Sequence, residues 1–144
     1  MKHVKNDGGR AVAGYKGSAG DCVTRAVAIA SGRPYDEVYK TLAEGNAAQS
    51  VTKRYRKRAK SARNGVCVKR TWFKEYMRLL GFRWVACMQI GSGCKVHLRS
   101  EELPSGRLVV AVSKHYTAVI DGVLHDTYDC SRDGTRCVYG YWTH

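Results

Sequence analysis

Cys22, His115 and Asp126 lie far apart in the 144-residue chain, yet their types are those that build a thiol nucleophile. Cys22 belongs to GSAGDCVTRAVAIASG, residues 17–32, where Asp21 is a good N-cap for a helix. A cysteine in the first helical turn meets unpaired N–H groups and the positive end of the macrodipole, which favour the thiolate. Cys22 is therefore either a nucleophile or a small hydrophobic residue at the start of a core helix.

His115 and Asp126 flank the dipeptide Asp121-Gly122, which is typical of a two-residue β-hairpin turn. With these two residues as the loop, the register places the imidazole and the carboxylate on one face of the sheet. They lie one diagonal step apart, roughly 7 Å or less between β-carbons. We expect His115 and Asp126 to hydrogen-bond, whereas His125 points to the opposite face.

A histidine held by a carboxylate is half of a nucleophilic site, and Cys22 can supply the other half. In such a site the imidazole activates the thiol and the carboxylate holds the imidazole. The neighbouring Asp21 carboxylate would raise the pKa of the thiol, so the His115 imidazolium must dominate.

The net charge of +13 is concentrated in one segment, because residues 53–70 carry nine basic residues and no acidic one. This segment is either a solvated helix or loop, or a surface for nucleic acid or an acidic protein partner. Tyr55 is the one aromatic residue among the clustered charges, so base stacking is poorly supported. The candidate polyanion-binding residues are Lys53, Arg54, Arg56, Lys57, Arg58, Lys60 and Arg63.

No apolar run approaches the roughly 20 residues that cross a bilayer, so we expect no membrane partner. The basic N-terminus lacks the apolar stretch of a secretory peptide, and reduced cysteines in a cytoplasm are therefore expected. The equal spacings of Cys87 to Cys94 and Cys130 to Cys137, with His97 nearby, leave a four-thiolate metal site open. Because structural zinc ligands are usually two to four residues apart, we predict no metal and no cofactor.

The elements that must position these residues form a helical first half and a strand-rich second half, which predicts an α+β fold. One domain over residues 1–144 is expected, with a basic helical or loop insertion at about 45–70. Helices are predicted over 22–30, from Pro34 to Gly45 and from Thr71 to Gly81. The third helix is expected to bury Trp72, Phe73, Tyr76, Met77, Leu79 and Leu80. Strands are predicted over 82–88, 107–112, 115–120, 123–128 and 136–142.

The order of cysteine, histidine and aspartate, with the pair Asp21-Cys22, resembles the papain-like cysteine peptidase superfamily. The closest likeness is to compact bacterial members that process bacteriocin leaders or cleave cell walls. Residues 6–39, 93–129 and 136–142 also resemble a family of small phage and bacterial proteins whose likeness brings no established substrate. The resemblance implies a papain-like fold, with N-terminal helices packed on a C-terminal antiparallel sheet. It also implies a bacterial host cytoplasm as the location, or a virion.

Papain-like peptidases usually carry a glutamine six residues before the nucleophile, where this chain has Lys16. Lys16 is therefore the candidate oxyanion donor, unless the Cys22 N–H acts with a group from elsewhere. The resemblance implies a hydrolase or transferase that acts on a peptide, isopeptide or glutamine amide bond of a protein or peptide substrate. The alternative is a non-catalytic nucleic-acid-binding or protein-binding module, a pseudoenzyme or virion component that uses residues 53–70.

Overall fold

The computed structural model describes residues 1–16, 20–49, 65–89 and 91–144. Over these residues the chain forms three α-helices and a six-stranded mixed sheet, so the predicted α+β class is confirmed. The candidate polyanion-binding residues between positions 53 and 63 lie outside the described residues and stay a prediction. Within the described ranges, no helix is long and apolar enough to cross a membrane.

The helices are α1 (Cys22–Ser31), α2 (Tyr35–Ala48) and α3 (Thr71–Leu79), and one 3₁₀ turn covers Ser100–Glu102. The strands are β1 (His3–Lys5), β2 (Arg83–Ala86), β3 (Arg107–Val112), β4 (His115–Ile120), β5 (Val123–Asp126) and β6 (Val138–Thr143). Helix α1 packs against β3, β4 and β5, which places its first residue beside the hairpin of β4 and β5.

The strand order across the sheet is β1-β5-β4-β3-β6-β2. All neighbouring strands pair antiparallel except β1, which pairs parallel with β5. The expectation of a purely antiparallel sheet is therefore wrong at this edge. The three residues of β1 are too few to show a two-residue period, and none of them is fully buried, so the sequence gives little sign of this strand.

Helix α1 ends as predicted at Gly32, whose φ of 73° is left-handed and whose N–H donates to the carbonyl of Ala28. Helix α2 was predicted to end at Gly45 but continues to Ala48. Gly45 is instead a packing position, because a β-carbon there would lie 2.3 Å from the indole of Trp72. The glycine allows the close approach of α3 to α2.

Apolar clusters cover both faces of the sheet. The helical face includes Val27, Phe73 and Met77, which are fully buried. Leu79 was expected to join them, but it is 84% exposed. Phe73 and Met77 are four residues apart and share one side of α3, whereas Leu79 is two residues further on and points away from that side.

A disulfide joins Cys94, in the segment after β2, to Cys137, at the start of β6. The expectation that all six cysteines are reduced is therefore wrong for this pair, and the cytoplasmic location stays a prediction. The four-thiolate metal site is not formed, because Cys130 is buried beside Asp126 rather than beside the bonded sulfurs.

Removal of this disulfide by the double substitution C94S/C137S is expected to lower the free energy of unfolding by about 3 to 4 kcal/mol. The bond closes a loop with a sequence separation of 43 and so restricts the unfolded chain. Urea denaturation followed by circular dichroism measures the change, and a reductant should reproduce it in the unmodified protein. The matched control is Cys67→Ser, a free cysteine outside the bridge. Equal midpoints for the double variant and the unmodified protein would contradict the prediction.

Candidate active site

Cys22 is the first residue of α1 and is half-buried at the wall of a cavity of about 770 Å³. His115, the first residue of β4, lines the same cavity. The helix start leaves the Cys22 backbone N–H without an intrahelical partner. Packing of α1 on β4 thus brings a thiol, an imidazole and unpaired helix donors to one place.

The hairpin of β4 and β5 has the predicted register, with Ile120 opposite Val123 and Ala118 opposite His125. The turn residue Asp121 has a φ of 48° and Gly122 a φ of 77°. Two positive values are what a type I′ turn requires, and such a turn fixes the pairing of the strands that it joins.

Asp126 receives the hydrogen bond that the register predicts. The Nε2 of His115 donates to Oδ2 of Asp126 at 2.7 Å, and the hydroxyl of Thr117 donates to the same oxygen at 2.7 Å. The other carboxylate oxygen accepts from the backbone N–H of Thr127 at 2.7 Å. The carboxylate is almost fully buried, so these donors fix its orientation and that of the imidazole.

The surroundings of Cys22 and His115 shift both pKa values toward the charged forms, a thiolate and an imidazolium. Burial acts to raise the pKa of Cys22, but hydrogen bonding from His115 and the Tyr116 backbone, with the positive charges of His115 and Arg25, lowers it below its usual value. Burial acts to lower the pKa of His115, but its hydrogen bond to Asp126 and its interactions with Cys130 and Cys22 raise it to about 11. Both shifts favour a thiolate beside an imidazolium.

Asp126 stays ionised beside this imidazolium. Burial acts to raise the pKa of the carboxyl, but hydrogen bonds from His115 and Thr117 and the charge of His115 lower it. The buried thiol of Cys130 also lies against Asp126, with its sulfur 3.6 Å from Oδ2. The hairpin register predicts Thr117 directly opposite Asp126, but sequence reasoning assigned Thr117 no role. It missed Cys130, to which no spacing pointed.

Asp21 occupies the N-cap position of α1, yet its side chain makes no capping hydrogen bond. Its buried carboxylate instead forms ion pairs with Arg25 and with Arg10, the latter at 3.3 Å, and accepts from the hydroxyl of Tyr35 at 2.5 Å. Two guanidinium groups therefore compensate the charge that was expected to act partly against the thiolate.

Arg25 links this buried network to the site. One of its nitrogens pairs with Asp21, and the other lies 3.8 Å from Oδ1 of Asp126. Arg25 is one turn along the same helix from Asp21, which is the spacing of an i,i+4 ion pair. That spacing could have shown the pair with Asp21, but the contact with Asp126 depends on how α1 packs on the sheet.

Lys16, the candidate oxyanion donor, is exposed and is not among the residues that line the cavity. Its backbone carbonyl accepts a hydrogen bond from Arg10 at 3.2 Å. Gly20 lines the cavity next to Cys22 instead. The candidate oxyanion donor beside the thiol is therefore the Cys22 backbone N–H and not the Lys16 ammonium.

Two groups of side chains in the described ranges have donor atoms close enough to share a metal ion. In the first group, Cys94 and Cys137 are bonded to each other next to His97. In the second, His115, Asp126 and Cys130 already interact with one another. Their contacts account for the second group without an ion.

The structure thus places Cys22 and His115 at the cavity wall, with Asp126 behind the imidazole, and places Lys16 apart from them. Comparisons of the chain with protein-family models, with curated proteins and with solved structures find no match. The chemistry of the site is therefore inferred from its own geometry.

Proposed function

We propose that this protein is a papain-like, cysteine-dependent hydrolase or transferase that acts on a peptide, isopeptide or glutamine amide bond. The observation that carries the proposal is the Cys22 thiol beside His115, whose Nε2 is hydrogen-bonded to the buried Asp126. Structural cysteines are inert when buried in apolar surroundings, whereas a thiol with a lowered pKa at an open cavity is suited to nucleophilic attack.

In the proposed reaction, the Cys22 thiolate attacks the carbonyl carbon of the scissile amide and forms a tetrahedral intermediate. The N-terminus of α1, with the Cys22 backbone N–H, stabilises the negative charge that develops on the carbonyl oxygen. The His115 imidazolium gives its proton to the leaving amine as the C–N bond breaks. A thioester then links the acyl group to Cys22.

Release of the acyl group reverses the proton transfers. Neutral His115 takes a proton from water, or from a second amine, as that nucleophile attacks the thioester carbon. The C–S bond breaks, and the proton returns the pair to thiolate and imidazolium. Asp126 holds the imidazole in position and stabilises its positive charge in both steps.

The arrangement of elements also supports a papain-like interpretation. The nucleophile begins a helix near the N-terminal end of the chain, and that helix packs on the strand that begins with the histidine. The carboxylate ends the next antiparallel strand. This arrangement matches what the sequence resemblance implies for the papain-like superfamily.

We expect iodoacetamide to modify Cys22 selectively between pH 6 and 7. An ordinary thiol is about 1% ionised at pH 6.5, whereas the lowered pKa of Cys22 gives it a larger thiolate fraction there. The imidazolium persists through this range because the pKa of His115 is raised. The labelling rate should rise with pH through the pKa of Cys22 and level off below the range of an ordinary thiol.

Peptide mass spectrometry after timed quenching measures the modification of each cysteine. Cys87 is the internal control, because burial raises the pKa of its thiol. The disulfide removes Cys94 and Cys137 from the comparison. If Cys22 reacts at pH 6.5 no faster than Cys67 and Cys87, the proposed ion pair and the proposed function are both wrong.

A further inference from the structure

The cavity beside Cys22 combines apolar walls with a positively charged rim. Aromatic and branched side chains form its walls, and lysine and arginine side chains lie around it. No aspartate or glutamate is among the described residues that line it. The apolar and aromatic lining residues include Val66, Val68, Trp84, Tyr116, Tyr139 and Trp142, and the basic ones are Lys69, Lys74, Arg78 and Lys114.

The four basic residues reach the cavity from three parts of the fold. Lys74 and Arg78 are one turn apart on α3, Lys69 lies just before that helix, and Lys114 is in the turn between β3 and β4, next to His115. Convergence of like charges on one opening is unfavourable unless a negative charge is brought there. The positions of these residues therefore suggest an anionic ligand.

None of these four residues forms an ion pair with a residue in the described part of the chain. Positions 17–19, 50–64 and 90 contain no aspartate or glutamate, so the sequence there supplies no neutralising carboxylate either. Some surface cations are paired, as Arg33 is with Glu37 and Lys40 with Asp36, whereas others, such as Lys2 and Lys5, form no ion pair with a described residue. The rim is distinguished by the convergence of four such charges on one cavity.

Two aromatic residues of the cavity wall are also partly exposed. Trp84 is 42% exposed and Tyr139 is 40% exposed, although both are large and lie on the neighbouring strands β2 and β6. Exposed aromatic side chains at a concave site are typical of surfaces that bind a partner. They would bury an apolar side chain while the rim pairs with carboxylates.

We propose that the substrate is an acidic peptide segment, with an apolar or aromatic residue for the Trp84–Tyr139 wall and aspartate or glutamate residues for the rim. This inference rests on the proposed function, since the segment must present its scissile carbonyl to Cys22. A peptide is favoured over a nucleic acid because an amide carbonyl is the electrophile that a thiolate and an imidazolium process.

Two peptide probes with the same electrophile and the same aromatic residue test this inference, one with two glutamates and the other with two glutamines. Their second-order rates of reaction with Cys22 are measured by intact-protein mass spectrometry. We expect the acidic probe to react about tenfold faster at low salt, with the preference shrinking as salt screens the rim. The variant K74E/R78E should abolish or reverse this preference.

The matched control is K2E/K5E, which changes the net charge equally at exposed positions by β1, on the opposite edge of the sheet. This variant should keep the preference for the acidic probe. Because each variant is judged by the ratio of its two rates, a change in overall reactivity does not affect the result. K74Q/R78Q should give an intermediate ratio.

Equal rates for the two probes, or a faster glutamine probe, would overturn the acidic substrate while selective iodoacetamide labelling of Cys22 upheld the proposed function. Loss of that selective labelling would instead overturn the function itself. Protection of Cys22 by a single-stranded oligonucleotide, at concentrations where an acidic peptide gives none, would overturn the peptide in favour of a nucleic-acid ligand.

Discussion

Replacement of Cys22 with alanine is expected to abolish the fast covalent labelling of the protein by electrophilic peptide probes. Cys22 has a lowered pKa and is the one cysteine among the described residues that lines the cavity. The free energy of unfolding should change by less than about 1 kcal/mol, because a small, half-buried side chain is replaced by one of similar size. Intact-protein mass spectrometry and urea denaturation measure the two effects.

Cys67→Ala is the control for this experiment, since Cys67 is also a free, half-buried cysteine. It should leave the fast phase of labelling unchanged. Fast labelling that persists in Cys22→Ala would show that another thiol is the nucleophile. Cys130 would then be the first residue to replace, because its sulfur lies against Asp126.

The substitution Asp126→Asn is expected to slow the labelling of Cys22 at pH 6 to 7 by up to about 100-fold, the ratio between a full thiolate and an ordinary thiol at pH 6.5. The amide keeps the shape of the side chain but not its negative charge, so the pKa of His115 falls and that of Cys22 rises. The loss should be largest at low pH, where the thiolate depends most on the imidazolium. Iodoacetamide rates measured from pH 5 to 9 show this dependence, and circular dichroism checks the fold.

Asp121→Asn and Asp129→Asn are the matched controls, because each carboxylate has a local role away from His115. Asp121 accepts a hydrogen bond from the Gly106 N–H at 2.8 Å, and Asp129 accepts from the hydroxyl of Ser131 at 2.7 Å. Neither substitution should alter the pH profile of Cys22. If Asp129→Asn slowed the labelling and Asp126→Asn did not, Asp126 would not be the orienting carboxylate.

The hairpin that holds His115 and Asp126 could be predicted from the sequence because its determinants are local. Asp121 and Gly122 set the turn, and the alternation of side chains along a strand then fixes which residues share a face. Helix α1 was predictable for the same reason, since Gly32 marks its end within a few residues. These local features were sufficient for the hydrogen bond between the imidazole and the carboxylate.

The features that the sequence did not reveal depend on contacts between distant segments. Strand β1 is defined by its pairing with β5, and the Cys94–Cys137 disulfide by the approach of two loops. The buried partners of Asp21 come from Arg10 and Tyr35 as well as from its own helix. No periodicity reports such contacts, because each is set by how whole elements pack.

Strand β1 and Cys22 are synthesised well before the hairpin that completes the site. His3 donates to the Asp126 carbonyl at 3.0 Å across a separation of 123 residues, and the Asn6 N–H donates to the same carbonyl at 2.9 Å. Cys22 emerges from the ribosome roughly 5 to 20 s before His115, at about 5–20 residues per second. Until His115 and Asp126 emerge and pair, the Cys22 thiol lacks the imidazolium that lowers its pKa. We therefore expect the nascent chain to carry an ordinary cysteine until the hairpin has closed.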